Sequence, residues 1–139
     1  MQALSLHKTF GSTVAVDRMS FEIDTPQMIG VIGRSGAGKS TLLRIINRLT
    51  MATSGHLHVD GRDVLTLKGG AKRRWQRDCA MIFQQFNLVP RLDVVTNVML
   101  GRLNQMNTFK SLLSIFSVRD IDDALSALAR LGLENQALQ

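Results

Sequence analysis

The chain has 139 residues, 45% of them hydrophobic, which fits about one globular domain and excludes a disordered chain. Its 17 basic against 11 acidic residues leave a net charge of +6, compatible with nucleic acid, anionic lipid or anionic ligands and equally with a solvated basic surface. The single cysteine, Cys79, excludes an internal disulfide and a cysteine-rich zinc site, and fits a small apolar residue in a reducing compartment. No apolar run approaches the ~18–20 residues of a membrane helix, and the N-terminus lacks the plan of a signal peptide. The expectation is a soluble, cytoplasmic chain that meets a membrane only through a partner.

In chain order, Ala3 to Thr9 alternates as a strand with Leu4 and Leu6 on one face, and Phe10-Gly11-Ser12 marks a turn. Met19, Phe21 and Ile23 alternate with polar residues as a half-buried strand, closed by Thr25-Pro26-Gln27. The apolar run Met28 to Ile32 reads as a short buried strand, and Leu42 to Leu49 as an amphipathic helix. His56 to Val59 alternates again, and Asp60-Gly61 signals a hairpin before Arg62-Asp63-Val64. Lys68 to Arg77 is polar and basic with a Gly69-Gly70 break, which suggests a solvated connector, and Asp78 to Phe83 suggests another buried strand. Asp93 is placed to cap a helix that Gly101 ends. A last helix opens on Asp120, Asp122 and Asp123, with Ile121, Ala124, Leu125, Leu128 and Leu131 as its apolar face and Gly132 as its stop.

The strongest signal is Gly33-Arg34-Ser35-Gly36-Ala37-Gly38-Lys39-Ser40, followed by Thr41. This is G-x-x-x-x-G-K-[ST] between an expected strand and an expected helix, the context that gives the pattern physical content. Glycines let backbone approach phosphate without a Cβ in the way. The loop N–H groups and the positive helix end then face the phosphates. Lys39 would reach the β- and γ-phosphates of ATP, and the Ser40 hydroxyl would hold Mg²⁺. Weaker signals are His56 with His58 on one strand face, which lack a nearby third metal ligand, and the basic set Lys68, Lys72, Arg73, Arg74, Arg77 with Trp75. Both read more simply as solvated surface, so neither a metal nor direct nucleic-acid binding is expected from them.

Several motifs fall in one order: Lys8-Thr9-Phe10-Gly11, the phosphate loop, Ser54-Gly55, Val59-Asp60-Gly61-Arg62 and Met81 to Leu88. Together they resemble the ATPase subunit of an ATP-binding cassette (ABC) transporter, over nearly the whole chain. Phe83 to Leu103 and the insertion Phe109 to Phe116 are most similar to the phosphonate-importing branch. The resemblance implies an α/β P-loop NTPase fold, with residues 1–90 as the N-terminal part of the cassette core and 91–139 as the start of a helical subdomain. It implies ATP and Mg²⁺ as cofactors, a second ATPase subunit and membrane subunits as partners, and a peripheral place on the cytoplasmic side of the inner membrane. Phe10 takes the part of the aromatic that stacks on adenine, and residues Gly33 to Thr41 that of the triphosphate cradle. Gln84 takes the part of the glutamine that reaches Mg²⁺ and the attacking water, giving Lys39 and Gln84 as catalytic residues. Leu112, Leu113, Ile115 and Phe116 would face the membrane subunit or further cassette structure.

The departures are Pro26-Gln27 where Gly-Glu is usual, Arg34 within the loop, and the lack of any match to L-S-G-G-Q, to an apolar run ending in Asp-Glu, or to the switch histidine. The expectation is therefore an N-terminal half of a cassette that stops before the catalytic carboxylate. In isolation it would have no appreciable ATPase activity and would fold poorly. The other readings are a non-catalytic fragment, or a soluble P-loop NTPase or kinase of another class.

Overall fold

A computed structural model describes residues 1–85, 88–101 and 116–139. They divide into two compact units, Met1–Met81 and Ile82–Gln139.

The first unit is built on a four-stranded antiparallel sheet in the order β2-β1-β3-β4, with β1 Gln2–Phe10, β2 Thr13–Glu22, β3 Ser54–Val59 and β4 Arg62–Asp63. The expected hairpin is present: Val59 pairs with Arg62 across Asp60 (φ 49°) and Gly61 (φ 75°), the left-handed pair that a tight two-residue turn requires. The face assignment in β1 needs correction. Ala3 and Leu6 are buried and Leu4 is exposed, because a register shift between Ala3 and Leu6, with Ser5 at φ 47°, breaks the two-residue period.

Helix α1 (Lys39–Ile46) lays Leu42 and Ile45 on this sheet. With Ala3, Leu6, Val16, Leu57 and Val64 they make the core, where Leu6, Ile45 and Leu57 are wholly buried. Each such side chain contributes about 1.5–3 kcal/mol of hydrophobic stabilisation.

Two further expectations fail here. The stretch Lys68 to Arg77 is not an open connector but helix α2 (Gly69–Asp78). Its half-buried side chains dock on the end of α1: Trp75 Nε1 donates to the Ile46 carbonyl (2.8 Å) and Gln76 Nε2 to the Arg48 carbonyl (3.0 Å). Asn47 Nδ2 answers by donating to the Cys79 carbonyl (3.0 Å), and Arg48 Nη2 to the Leu67 carbonyl (2.9 Å). Carbonyls at a helix C-terminus have no intrahelical partner, so these bonds meet a standing demand. The runs Met28–Ile32 and Asp78–Phe83 form no strand, and Asp78 instead ends α2. Met28 and Ile32 are 101% and 95% exposed and Ile82 is 92% exposed. A fully apolar strand needs neighbours on both edges and cover on both faces, and no described strand pairs with either run.

The second unit pairs α3 (Val94–Leu100) with α4 (Val118–Ala129) over Val95, Met99, Ala124, Leu128 and Ala137, with Phe116 packed against them. Asp93 caps α3 through the Thr96 amide (2.7 Å), as expected. Ser117 and Asp120 form a reciprocal capping box on α4. The apolar face of α4 is narrower than its sequence suggests: Ala124 and Leu128 are buried, but Ile121, Leu125 and Leu131 are exposed. Of the apolar insertion, Leu112, Leu113 and Ile115 lie outside the described residues.

Candidate functional site

The phosphate loop runs from Gly33 into α1, and two of its glycines are left-handed, Gly36 at φ 78° and Gly38 at φ 82°. Gly38 is the N-cap of α1 and offers no side-chain cap, and no acidic residue occupies the first turn. The unpartnered N–H groups of that turn, with the positive end of the helix dipole, are therefore left for an anion. Gly38 also has no room for a side chain. A Cβ there would lie 1.9 Å from the Ala15 carbonyl oxygen, so the loop is seated directly on β2.

Lys39 Nζ donates to the Gly33 and Arg34 carbonyls, both at 2.8 Å. An ammonium has three protons, so this arrangement fixes the cation at the loop's mouth with one donor left over. Ser40 is exposed and Thr41 half-buried, on the first turn of α1. Gly36, Ala37, Gly38, Lys39, Ser40 and Thr41 line a cavity of about 210 Å³ together with Thr13, Val14 and Ala15. Arg34 and Ser35 are exposed on the outer part of the loop.

Thr13, Val14 and Ala15 had no motif to mark them. They reach the loop through the antiparallel register, which sets Phe10 opposite Thr13. The same register sets Phe10 beside Thr13, one of the residues that line this cavity. Phe10 is 52% exposed, with Lys8 Nζ 4.6 Å from its ring centroid. Phe10 is thus not among the buried core residues. Gln84 lies in the second unit, exposed and in a bend of the chain.

A triphosphate fits these residues. A left-handed glycine pressed on a carbonyl, an uncapped helix start and a fixed ammonium are together what an oxyanion cradle requires. Of the other signals, His56 Nδ1 lies 2.7 Å from Asp63 Oδ2, and no group of three potential metal ligands occurs among the described residues. Cys79 is half-buried, and burial first, then the Asp78 charge, raises its thiol pKa, so it is a poor nucleophile. No helix among the described residues is long and apolar enough to cross a membrane.

A glycine-rich phosphate loop leading into a helix in this way defines the P-loop class of nucleotide-binding folds. Within that class, the chain belongs to the ABC transporter family, whose domain matches residues 16–139. It is 61% identical over 132 residues to the phosphonates import ATP-binding protein PhnC of Rhizobium etli, covering 95% of this chain and 47% of that protein. It is 57% identical over 138 residues to the protein of the same name from Rhizobium meliloti, covering 99% of this chain and 50% of the relative. Among solved structures, it resembles a dimeric ATP-binding cassette in a post-hydrolysis state bound to ADP and Pi, with TM-score 0.78 and 27% identity over 99% of this chain and 60% of that one. The chain thus spans about half the length of the curated relatives it matches.

Proposed function

We propose that this chain supplies the MgATP-binding part of an ABC importer ATPase that drives uptake of phosphonate or a related anion. The observation that carries the reading is the phosphate loop, with Gly38 pressed on Ala15 and Lys39 held at its mouth. The 61% identity to phosphonate import proteins supports the substrate class.

In this reading the residues Gly33 to Ser40 wrap the triphosphate, and Lys39 exchanges a carbonyl for a phosphate oxygen. The Ser40 hydroxyl, with Gln84, would hold Mg²⁺, whose part is to neutralise charge on the phosphates. Thr41 steadies the first helical turn beside them. Phe10 offers its exposed face to the base. Gln84 would also orient the attacking water, since an amide both donates and accepts. Residues 91–139 act as the start of the helical subdomain, and some of Leu112, Leu113, Ile115 and Phe116 would face a membrane subunit or further cassette structure. A second ATPase subunit would complete the nucleotide site, at the cytoplasmic face of the inner membrane.

Titration calorimetry with MgATP tests the binding step. Lys39→Ala removes a charge-assisted phosphate contact of about 1.5–3 kcal/mol, so affinity should fall at least about tenfold. Equal affinity in the variant would overturn the assignment. Growth of the native strain on a phosphonate as sole phosphorus source, with Lys39→Ala in the chromosome, tests import. Growth at the parental rate would refute that part.

A further inference from the structure

Besides the phosphate-loop cavity, the first unit carries a second hollow. It lies between the β3–β4 hairpin and α2, encloses about 560 Å³, and is lined by Val59, Asp60, Arg62, Val64, Leu67, Ala71, Arg74, Trp75 and Asp78. Its floor is apolar: Val64 is buried, and Val59, Leu67 and Trp75 are half-buried. Its rim is charged. Arg62 and Arg74 are exposed and pair with no described carboxylate, although both stand over the same hollow. Asp78 is already met by Arg77 Nε at 3.1 Å, whereas Asp60 sits on the turn. With Asp78 met by Arg77 from outside the lining, Arg62 and Arg74 are left facing the hollow with Asp60 as the remaining carboxylate.

The walls are held in place independently of any ligand. Trp75 is fixed by its bond to the Ile46 carbonyl. The turn Val64–Thr66 is fixed by Asp63, which accepts from the Leu65 amide (2.9 Å) and, through its carbonyl, from the Thr66 hydroxyl (2.8 Å). A pre-formed hollow with an apolar floor and a few convergent polar groups is the usual form of a small-molecule site. Paired guanidiniums select planar or tetrahedral oxyanions. Asp60, in the same lining and paired with no described cation, selects a cation on the same molecule, and an aromatic wall such as Trp75 suits that cation further.

We infer that the hollow between the β3–β4 hairpin and α2 is a second binding site, separate from the phosphate loop. Its ligand is a small zwitterion whose oxyanion meets Arg62 and Arg74 and whose ammonium meets Asp60. That the oxyanion is a phosphonate rests on the import reading above; the zwitterion chemistry rests on the hollow alone. A site of this kind on the ATPase would let an amine-bearing phosphonate report its own concentration to the machinery that imports it. The wall residue Trp75 is bonded to the last residue of α1, the helix that begins at the phosphate loop.

Trp75 is the single tryptophan of the chain, so its emission reports the hollow without labelling. Titration with 2-aminoethylphosphonate should give a saturable change, persisting in Lys39→Ala and weakened about tenfold or more in Arg62→Gln and in Arg74→Gln. Ethylphosphonate, lacking the ammonium, and β-alanine, lacking the phosphonate, should each bind several-fold more weakly. Because both arginines are exposed and unpaired, their variants should melt with the parent, which separates lost binding from lost folding. No saturable change, equal affinity in the arginine variants, or loss of binding in Lys39→Ala would each overturn the second site. Ethylphosphonate matching the amine-bearing ligand would remove Asp60 and with it the zwitterion. β-Alanine binding as tightly would overturn the phosphonate assignment. Failure of the import reading would appear separately, in MgATP titration and growth.

Discussion

The indole N–H of Trp75 donates to the carbonyl of Ile46 at 2.8 Å, tying the middle of α2 to the last residue of the phosphate-loop helix. Trp75→Phe keeps most of the packing and removes this donor. The carbonyl left behind is half-buried, so the expected cost is about 1–3 kcal/mol. Urea unfolding followed by far-ultraviolet circular dichroism should show an earlier midpoint. A midpoint equal to the parent's would mean that water serves Ile46 equally well.

Gly38→Ala should abolish MgATP binding, because the new methyl would strike the Ala15 carbonyl and the left-handed backbone adds about 1–2 kcal/mol. Gly36→Ala meets open space and carries only the conformational cost. Calorimetry on both variants should therefore rank Gly38 well above Gly36. Equal losses would refute the seating of the loop on β2.

Phe10→Ala should weaken ATP and GTP alike by about 1–3 kcal/mol, since every base offers a π-face. The ring is 52% exposed, so thermal stability should move little. A variant that melts early yet binds nucleotide normally would return Phe10 to a packing role.

The carboxyl of Asp63 titrates below the ordinary aspartate value of 3.8. The largest single influence is burial, which raises it. That influence is outweighed by hydrogen bonds from His56 and from the Leu65 and Leu57 amides, which lower it. A depressed carboxylate contributes stability that is complete above its unfolded pKa and is lost as pH falls through the folded value. The hairpin should loosen only below about pH 4. Amide shifts of Leu57 and Leu65, followed by NMR, should titrate together with a midpoint under 3.8. A midpoint above that value would show that burial dominates.

Met28 and Ile32, almost wholly exposed in an apolar run, should make the 139-residue chain bind a hydrophobic dye and aggregate on warming. Met28→Lys with Ile32→Lys should reduce both. Dye binding that is low in the parent would show this run to be covered.

Local chemistry carried the sequence reading where it succeeded. The Asp60-Gly61 turn, the Asp93 cap and the phosphate loop each depend on a few adjacent residues whose backbone demands are strict. The reading failed where distant residues decide. Helix α2 looked like a connector because Gly69-Gly70 and five basic residues hide two docking side chains, Trp75 and Gln76, whose partners lie 28 or 29 residues earlier. The Ser5 bulge exchanged the faces of Leu4 without any apolar residue marking it. Met28–Ile32 has a strand's composition, and composition cannot supply the neighbours a strand needs. In the candidate site, the loop residues were legible. Thr13 to Ala15 were not, because they arrive by strand register.

The seating of Gly38 against Ala15 ranks the loop's letters by how freely they could be rewritten. Arg34 and Ser35 face solvent and answer only to the ligand. Gly36 answers to backbone geometry, and Gly38 answers to geometry and to a neighbouring strand at once. A random library of the loop would thus keep glycine at 38 even under selection for folding alone. Selection for nucleotide would be needed to recover lysine at 39.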